Sequence, residues 1–288
     1  RTCRPALGLR VGFGLHFREC FVHRILFTFF KFKIMLKDLV AKHGKQKINS
    51  LTKYPSILTL HRFGEKGRLT NDFTTDISGE QMFATEKIDG TNARIICFGD
   101  EYLIGSREFI LHHSADLFFD PAQGIVEGIK DLQVKIPNDL PRLTVIFGEL
   151  FGGKVSSNSK NYGMDKLGFR VFDVAVFDDL SVLDLSLEEI SRWRERETDN
   201  GMIYGQSFLP SDVLATASIY WHLVPSVPFE IAGLSHREIL DSLKSHLPKT
   251  NVALSDSAQM KPEGVILRNN DRTKIVKLRF EDYERTLR

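Results

Sequence analysis

Cysteine is scarce: Cys3, Cys20 and Cys97 are the only three in 288 residues. Three thiols, two of them within the first twenty positions, give neither a disulfide framework nor the paired spacing of a zinc site. A reduced, intracellular and cytoplasmic setting is expected. Long apolar runs are also lacking. The longest uncharged apolar run near the start, Ile25 to Phe30, falls far short of the roughly 20 residues needed to span a bilayer, and no membrane partner is expected. Charge of one sign is missing too, with 39 Lys and Arg against 37 Asp and Glu. A body so balanced is not a general polyanion binder, so any grip on nucleic acid must come from a local patch. No internal repeat or low-complexity tract stands out. Length and a hydrophobic content of 42% fit one large or two small globular domains.

The charge is unevenly spread. Residues 1–36 carry seven Lys or Arg, one acid (Glu19) and seven of the 22 phenylalanines. An Arg-rich, acid-poor start fits an organelle transit peptide, or upstream sequence ahead of a start at Met35. The second reading is preferred, which places the fold in residues 37–288 as one domain.

The spacing predicts a short helix from Met35 that ends at Gly44, with glycine as C-cap. Ile57–Phe63 reads as extended, and 64–67 as a turn. Gln81–Glu86 and Ala93–Phe98 are strand-like and flank a loop at Lys87; Ala93–Phe98 and Tyr102–Ser106 form a hairpin about Gly99-Asp100. Pro121–Leu132 looks helical. Leu143–Phe147 and Phe169–Phe177 have the continuous apolar character of buried strands. Ser186-x-x-Glu189 and Ser235-x-x-Glu238 are capping boxes that open two helices. Glu263–Arg268 and Thr273–Phe280 are late strands joined by a turn at 269–271. Strands and helices alternate without a βαβ rhythm, so an α+β fold of antiparallel sheets flanked by helices is expected.

The densest chemistry lies in Glu86-Lys87-Ile88-Asp89-Gly90-Thr91-Asn92. A lysine amine attacks a phosphate only when neutral, which requires nearby cations or desolvation. Asp89 can hold a magnesium hydration shell or the attacking amine, and Gly90 lets backbone approach a phosphate. Arg107, at the end of the paired strand, can reach a phosphate or ribose. Glu149, after a buried strand, can accept from a ribose hydroxyl. Gly148-x4-Gly153-Lys154 imitates a phosphate-binding loop, but Val155 stands where a hydroxyl should ligate magnesium. Phe169 offers a stacking face, whereas Phe172 reads more as core. Glu263-Gly264 opens one late strand, and Lys277 and Arg279 share a face of the other.

In this order the segments resemble the covalent nucleotidyltransferase superfamily of polynucleotide ligases and capping enzymes, over roughly residues 80–280. Thr91-Asn92 and Phe147-Gly148-Glu149-Leu150 are most similar to its ATP-dependent RNA ligase branch, that of phage RNA-repair and trypanosome RNA-editing ligases. The resemblance implies an ATP-grasp-like adenylation domain in which Lys87 becomes adenylylated. Glu86 would lie at the adenine edge, Asn92 would serve sealing near the ribose, and Arg107 would contact ribose and incoming strand. Glu149 would hold the ribose 2′-OH, and Phe169 would stack on the base. Asp89, Glu149 and Glu263 would position the metal through water, and Lys277 and Arg279 would bind phosphates. The implied cofactors are ATP and Mg2+, for which Mn2+ substitutes. The implied partners are RNA ends, nicked or single-stranded, with a further protein supplying strand binding.

Two departures stand out. Arg279 stands where lysine is usual, and the sequence stops at Arg288 without room for a C-terminal OB domain. A GTP-dependent capping-type guanylyltransferase and a catalytically silent nucleotide- or RNA-binding module are the alternatives.

Overall fold

The structure, a computed structural model, describes residues 35–199, 201–229 and 235–288. The reading of residues 1–34 as a separate extension lies outside the described residues. Leu36, placed with that extension by sequence, is fully buried in the core.

Helix α1 (Leu36–His43) ends at Gly44 as its sequence predicts. The Gly44 N–H donates to Val40 O, and its φ of 83° turns the chain out of the helix. The chain then re-enters a helix, α2 (Lys45–Leu51), that the sequence reading missed. Ile48 and Leu51 of α2 bury beside Leu36 and Leu39, so tertiary contact, more than propensity, sustains it.

The strands follow as β1 (Leu58–Thr59), β2 (His61–Phe63), β3 (Leu69–Phe73), β4 (Phe83–Lys87), β5 (Thr91–Gly99), β6 (Glu101–Ser106) and β7 (Ile110–His113). After helix α3 (Ile125–Asp131) come two long strands, β8 (Leu140–Gly152) and β9 (Leu167–Phe177). Helix α4 (Leu187–Arg194) leads to β10 (Glu195–Thr198), β11 (Gly201–Tyr204) and β12 (Ser207–Phe208). Helices α5 (Ser211–Thr216) and α6 (His236–His246) precede β13 (Gly264–Arg268), β14 (Ile275–Arg279) and the last helix, α7 (Phe280–Leu287).

Two sheets dominate. One has six strands in the order β12-β9-β8-β5-β6-β7, all antiparallel. Ile96 and Val145 pack on one face with Leu36, Leu51 and Ile190 of the helices. Ile95 and Ile146 pack on the other with Ile125 and Ile129 of α3. Burial on both faces explains why the segment 143–147 is apolar but for Thr144.

The second sheet has the order β1-β14-β13-β4, antiparallel except for the β1–β14 pair, which is parallel. Val265, Leu267, Val276 and Leu278 lie under α6 and α7, against Ile239, Leu243, Phe280 and Tyr283. Both capping boxes form as the sequence predicts. Ser186 Oγ accepts from Glu189 N, and Ser235 Oγ accepts from Glu238 N. The α+β architecture of antiparallel sheets flanked by helices is therefore the one expected. Among the described residues, no helix is long and apolar enough to cross a membrane.

A short segment, 222–227, ties the two sheets together. Val224 N donates to Val171 O of β9, and Val227 N donates to Ala84 O of β4. Glu86 N in turn donates to Pro225 O. This lacing forms the back of a cleft between the sheets.

Candidate nucleotide-binding cleft

The cleft holds about 760 Å³. Strand alternation sends Phe83, Thr85 and Lys87 of β4 into it, with Glu86 also on its lining, while Ala84 turns into the core of the second sheet. Lys87 pairs in register with Gly264, which in turn pairs with Arg279. Lys277 and Ile275 of β14 line the cleft from the same sheet. The six-stranded sheet contributes Asn92, Glu149, Val171, Phe172 and Asp173. Lys87 is the last residue of β4, not a loop residue, so its stem is held by the ladder.

The Lys87 Nζ lies 2.6 Å from Glu263 Oε2. Burial pushes the Glu263 carboxyl up, and the Lys87 ammonium opposes that shift. Burial also lowers the Lys277 ammonium, helped by Arg279, Lys87 and Arg107 nearby. Glu149 is half-buried on the facing wall and accepts from Gly90 N at 3.1 Å. Burial pushes its carboxyl up to about 8, with Lys87 pulling the other way. Asn92 projects a buried Oδ1 with no hydrogen-bond partner among the described residues. Arg107 stands at the mouth, its side chain 63% exposed.

Phe169 and Arg279 stand off the cleft, and Glu86 and Asp89 line it with their carboxylates already engaged. Glu86 lines the cleft, but its carboxylate is already engaged. Its oxygens accept from Thr250 Oγ1 and, at 2.9 Å, from Asn251 N, on the far face of β4. The residue is almost fully buried, and burial pushes its carboxyl up. Its place is to anchor the loop at 250–251.

Phe169 does not line the cleft. It packs in the core under the six-stranded sheet, over Gly148. A Cβ at Gly148 would lie 2.3 Å from Phe169 Cζ, so the glycine leaves room for the ring. Phe172 lines the cleft instead. The cause is a register shift opposite Phe147 and Gly148, which leaves Phe172 as the extra residue on β9. A bulge of this kind re-aims side chains, and the local sequence carries no sign of it.

Arg279 is not open to the cleft. Its Nε and Nη2 donate to both oxygens of Asp282, and Nη1 lies 2.8 Å from Glu281. Asp89 is likewise engaged. Its Oδ2 accepts from Asn158 Nδ2 and its N–H donates to Tyr162 Oη. Gly90 approaches backbone, as its sequence setting implied, but the near neighbour is Leu150 O, 2.2 Å from where a Cβ would stand. The structure thus brings Lys87, Asp89, Asn92, Arg107, Glu149 and Lys277 to the cleft with Glu263 paired to Lys87, sets Glu86 on the lining with its carboxylate engaged, and keeps Phe169 and Arg279 in supporting positions.

Residues not singled out by sequence complete the walls. Tyr54, Asp173 and Arg268 form the floor away from Lys87, with Ile266, Leu223 and Val224 as apolar lining. Asp173 accepts from Arg268 Nη1 at 2.9 Å, Arg272 Nε at 2.6 Å and Tyr54 Oη at 3.0 Å. These positions are some 95 to 119 residues apart in sequence, so no local spacing announces them. An apolar slot ending in cations and carboxylates suits a flat ring joined to a polyphosphate.

Among solved structures, the chain is similar to a mutant RNA ligase of Naegleria gruberi with ATP and Mn. The TM-score is 0.43 and the identity 15%, over 81% of this chain and 62% of that one. It is similar also to the RNA ligase of that organism with PPi, at TM-score 0.42 and 15% identity, over 81% and 63%. A further mutant with AMP and Mn gives 0.40 and 14%, over 79% and 60%. The chain spans less than two thirds of the length of these relatives. No curated protein sequence matches it. The RNA ligase family model matches residues 80–280, most of the chain and all of the cleft's charged end, and the protein belongs to the RNA ligase family.

Proposed function

We propose that the protein joins RNA ends at the expense of ATP, with Lys87 as the covalent carrier of AMP. The observation that carries this reading is the placement of Lys87. Its amine is held between the sheets, 2.6 Å from Glu263, on the same cleft wall as Lys277.

The first step would be attack of the neutral Lys87 amine on the α-phosphorus of ATP. The nitrogen–phosphorus bond forms, the bond to pyrophosphate breaks, and the amine gives up its proton. Lys277, partly desolvated, faces the charge that builds on the phosphates. Glu263 orients the amine. Phe172 and the apolar lining take the base, and Asn92 and Glu149 offer polar atoms to the ribose. In the second step an oxygen of the RNA 5′-phosphate displaces Lys87 and carries off AMP. In the third, a 3′-hydroxyl attacks that phosphate and AMP leaves. Arg107, at the mouth, meets the strand.

A divalent ion fits this donor set through its water shell. Asp89, Glu149 and Glu263 supply the hard oxygens that Mg2+ or Mn2+ prefers. Each already has one oxygen engaged by protein, and no group of three such side chains among the described residues closes on one point. When bound, the ion would neutralise phosphate charge.

The test is transfer of label from α-labelled ATP to the protein. Wild type becomes labelled, and Lys87→Ala carries no label. A labelled band that survives the substitution removes Lys87 from the role. Labelled GTP run in parallel separates the ligase reading from a capping-type one, and pyrophosphate release separates turnover from mere binding.

A further inference from the structure

We infer that Phe109 is a stacking platform for a nucleobase of single-stranded RNA at the mouth of the cleft, beside the strand end held by Arg107. This deepens the ligase reading and rests on it.

Phe109 is 67% exposed, yet it lines the same cleft as Lys87 and Arg107. An exposed aromatic ring is common on a mobile loop, but this one sits on a braced turn. Ser106 N donates to Phe109 O at 2.8 Å, and Ser106 Oγ accepts from Phe109 N at 3.0 Å and Glu108 N at 3.2 Å. Two side chains from the α2 region hold the turn from outside. Asn49 Nδ2 donates to Glu108 O at 2.8 Å, and Lys53 Nζ reaches Glu108 Oε2 at 2.7 Å. Asn49 is fixed in turn by Arg94, which is wholly buried and donates Nη2 to Asn49 Oδ1.

This chain of bonds orders the backbone that carries an apolar ring outside the protein's own core. The backbone part of the ordering cost is met in the free protein, which favours a ligand with a flat face. The neighbouring cation narrows that ligand. Arg107 is two residues away and largely exposed, so the pair presents a phosphate contact next to a stacking surface. Single-stranded nucleic acid offers that alternation of charge and ring, and every base has a face to stack. A purely anionic ligand would leave the ring unused, and a purely apolar one would leave the cation unused.

The experiment measures binding of a short 5′-phosphorylated single-stranded RNA by fluorescence anisotropy, over a salt series, for wild type, Phe109→Ala, Phe109→Leu and Phe109→Trp. Expected is a Kd about tenfold weaker for the alanine variant, restored by tryptophan and not by leucine. The salt slope should stay as in wild type, because stacking releases no counterions. An unchanged Kd for Phe109→Ala overturns the proposal. So does full rescue by leucine, which would mean that any apolar group suffices. A reduced salt slope also overturns it, since that would show the turn merely aiming Arg107. Lysyl labelling by ATP reports on the ligase reading separately: it can fail while Phe109 still governs RNA binding, or succeed while Phe109 does nothing.

Discussion

At one end of the cleft Glu263 pairs with Lys87, near Lys277. At the other, Asp173 pairs with Arg268 and Arg272. The two groups have the same composition, one carboxylate among cations, and differ in closure. Asp173, Arg268 and Arg272 are buried, and both oxygens of Asp173 are taken. Arg272 is wholly buried, its guanidinium 3.7 Å from the centre of the Phe208 ring and within 5.0 Å of Tyr204 and Tyr54. The Glu263 end is open. Lys87 keeps about a quarter of its side chain exposed, and Lys277 has no ion-pair partner among the described residues. A closed group braces strands, because breaking it would strand buried charge. An open one keeps its charges available for an incoming phosphate. Similar residue types therefore give a structural brace in one place and, on the proposed reading, reactive machinery in the other.

Substituting the two carboxylates should separate these roles most strongly. Asp173→Asn leaves two buried guanidinium groups short of their counter-charge and should cost about 3–5 kcal/mol. Thermal unfolding would register that as a fall of about 10 °C. Glu263→Gln should leave the unfolding temperature within about 2 °C, and slow lysyl-AMP formation about 100-fold. If the two variants lost stability equally, the contrast between brace and machinery would be void.

A second contrast runs along β9. Phe169→Ala empties core space over Gly148 and should destabilise by about 3–5 kcal/mol, read by denaturant titration. Phe172→Ala should spare stability by comparison and raise the KM for ATP about three- to tenfold, the worth of one aromatic contact. The reverse result would return the stacking role to Phe169.

The last contrast concerns pH. Burial holds the Glu149 carboxyl at about 8, against about 4.3 in an unfolded chain. Between those values the folded protein retains a proton that the unfolded chain has lost. The associated stability is complete below about pH 4.3 and disappears as pH rises through about 8. Unfolding temperatures followed from about pH 5 to about pH 9 should decline less steeply for Glu149→Gln than for wild type. Identical slopes would mean that Glu149 does not retain the proton.

Much of this was legible in the chain. The lysine segment, the hairpin after it, the two capping boxes and the paired late strands follow from local patterns, and those patterns suffice because each rests on neighbours within a few residues. Lys87, Glu149, Glu263 and Lys277 stand out by their order along the chain, and the sheets bring Lys87, Glu149 and Lys277 to one cleft, with Glu263 paired to Lys87. What local spacing could not convey is direction. The fate of Glu86 depends on Thr250 and Asn251, more than 160 residues away. Arg279 was legible as a cation on the right strand face, but Asp282, one turn into α7, decides where its guanidinium points. The exchange of Phe169 for Phe172 comes from one extra residue between paired strands, a property of the pairing and not of either strand. The sequence by itself determined which groups are present and which strands carry them. Only the tertiary structure decided which face each one shows and which charges are already neutralised, because both depend on long-range packing that alternation along one strand does not specify.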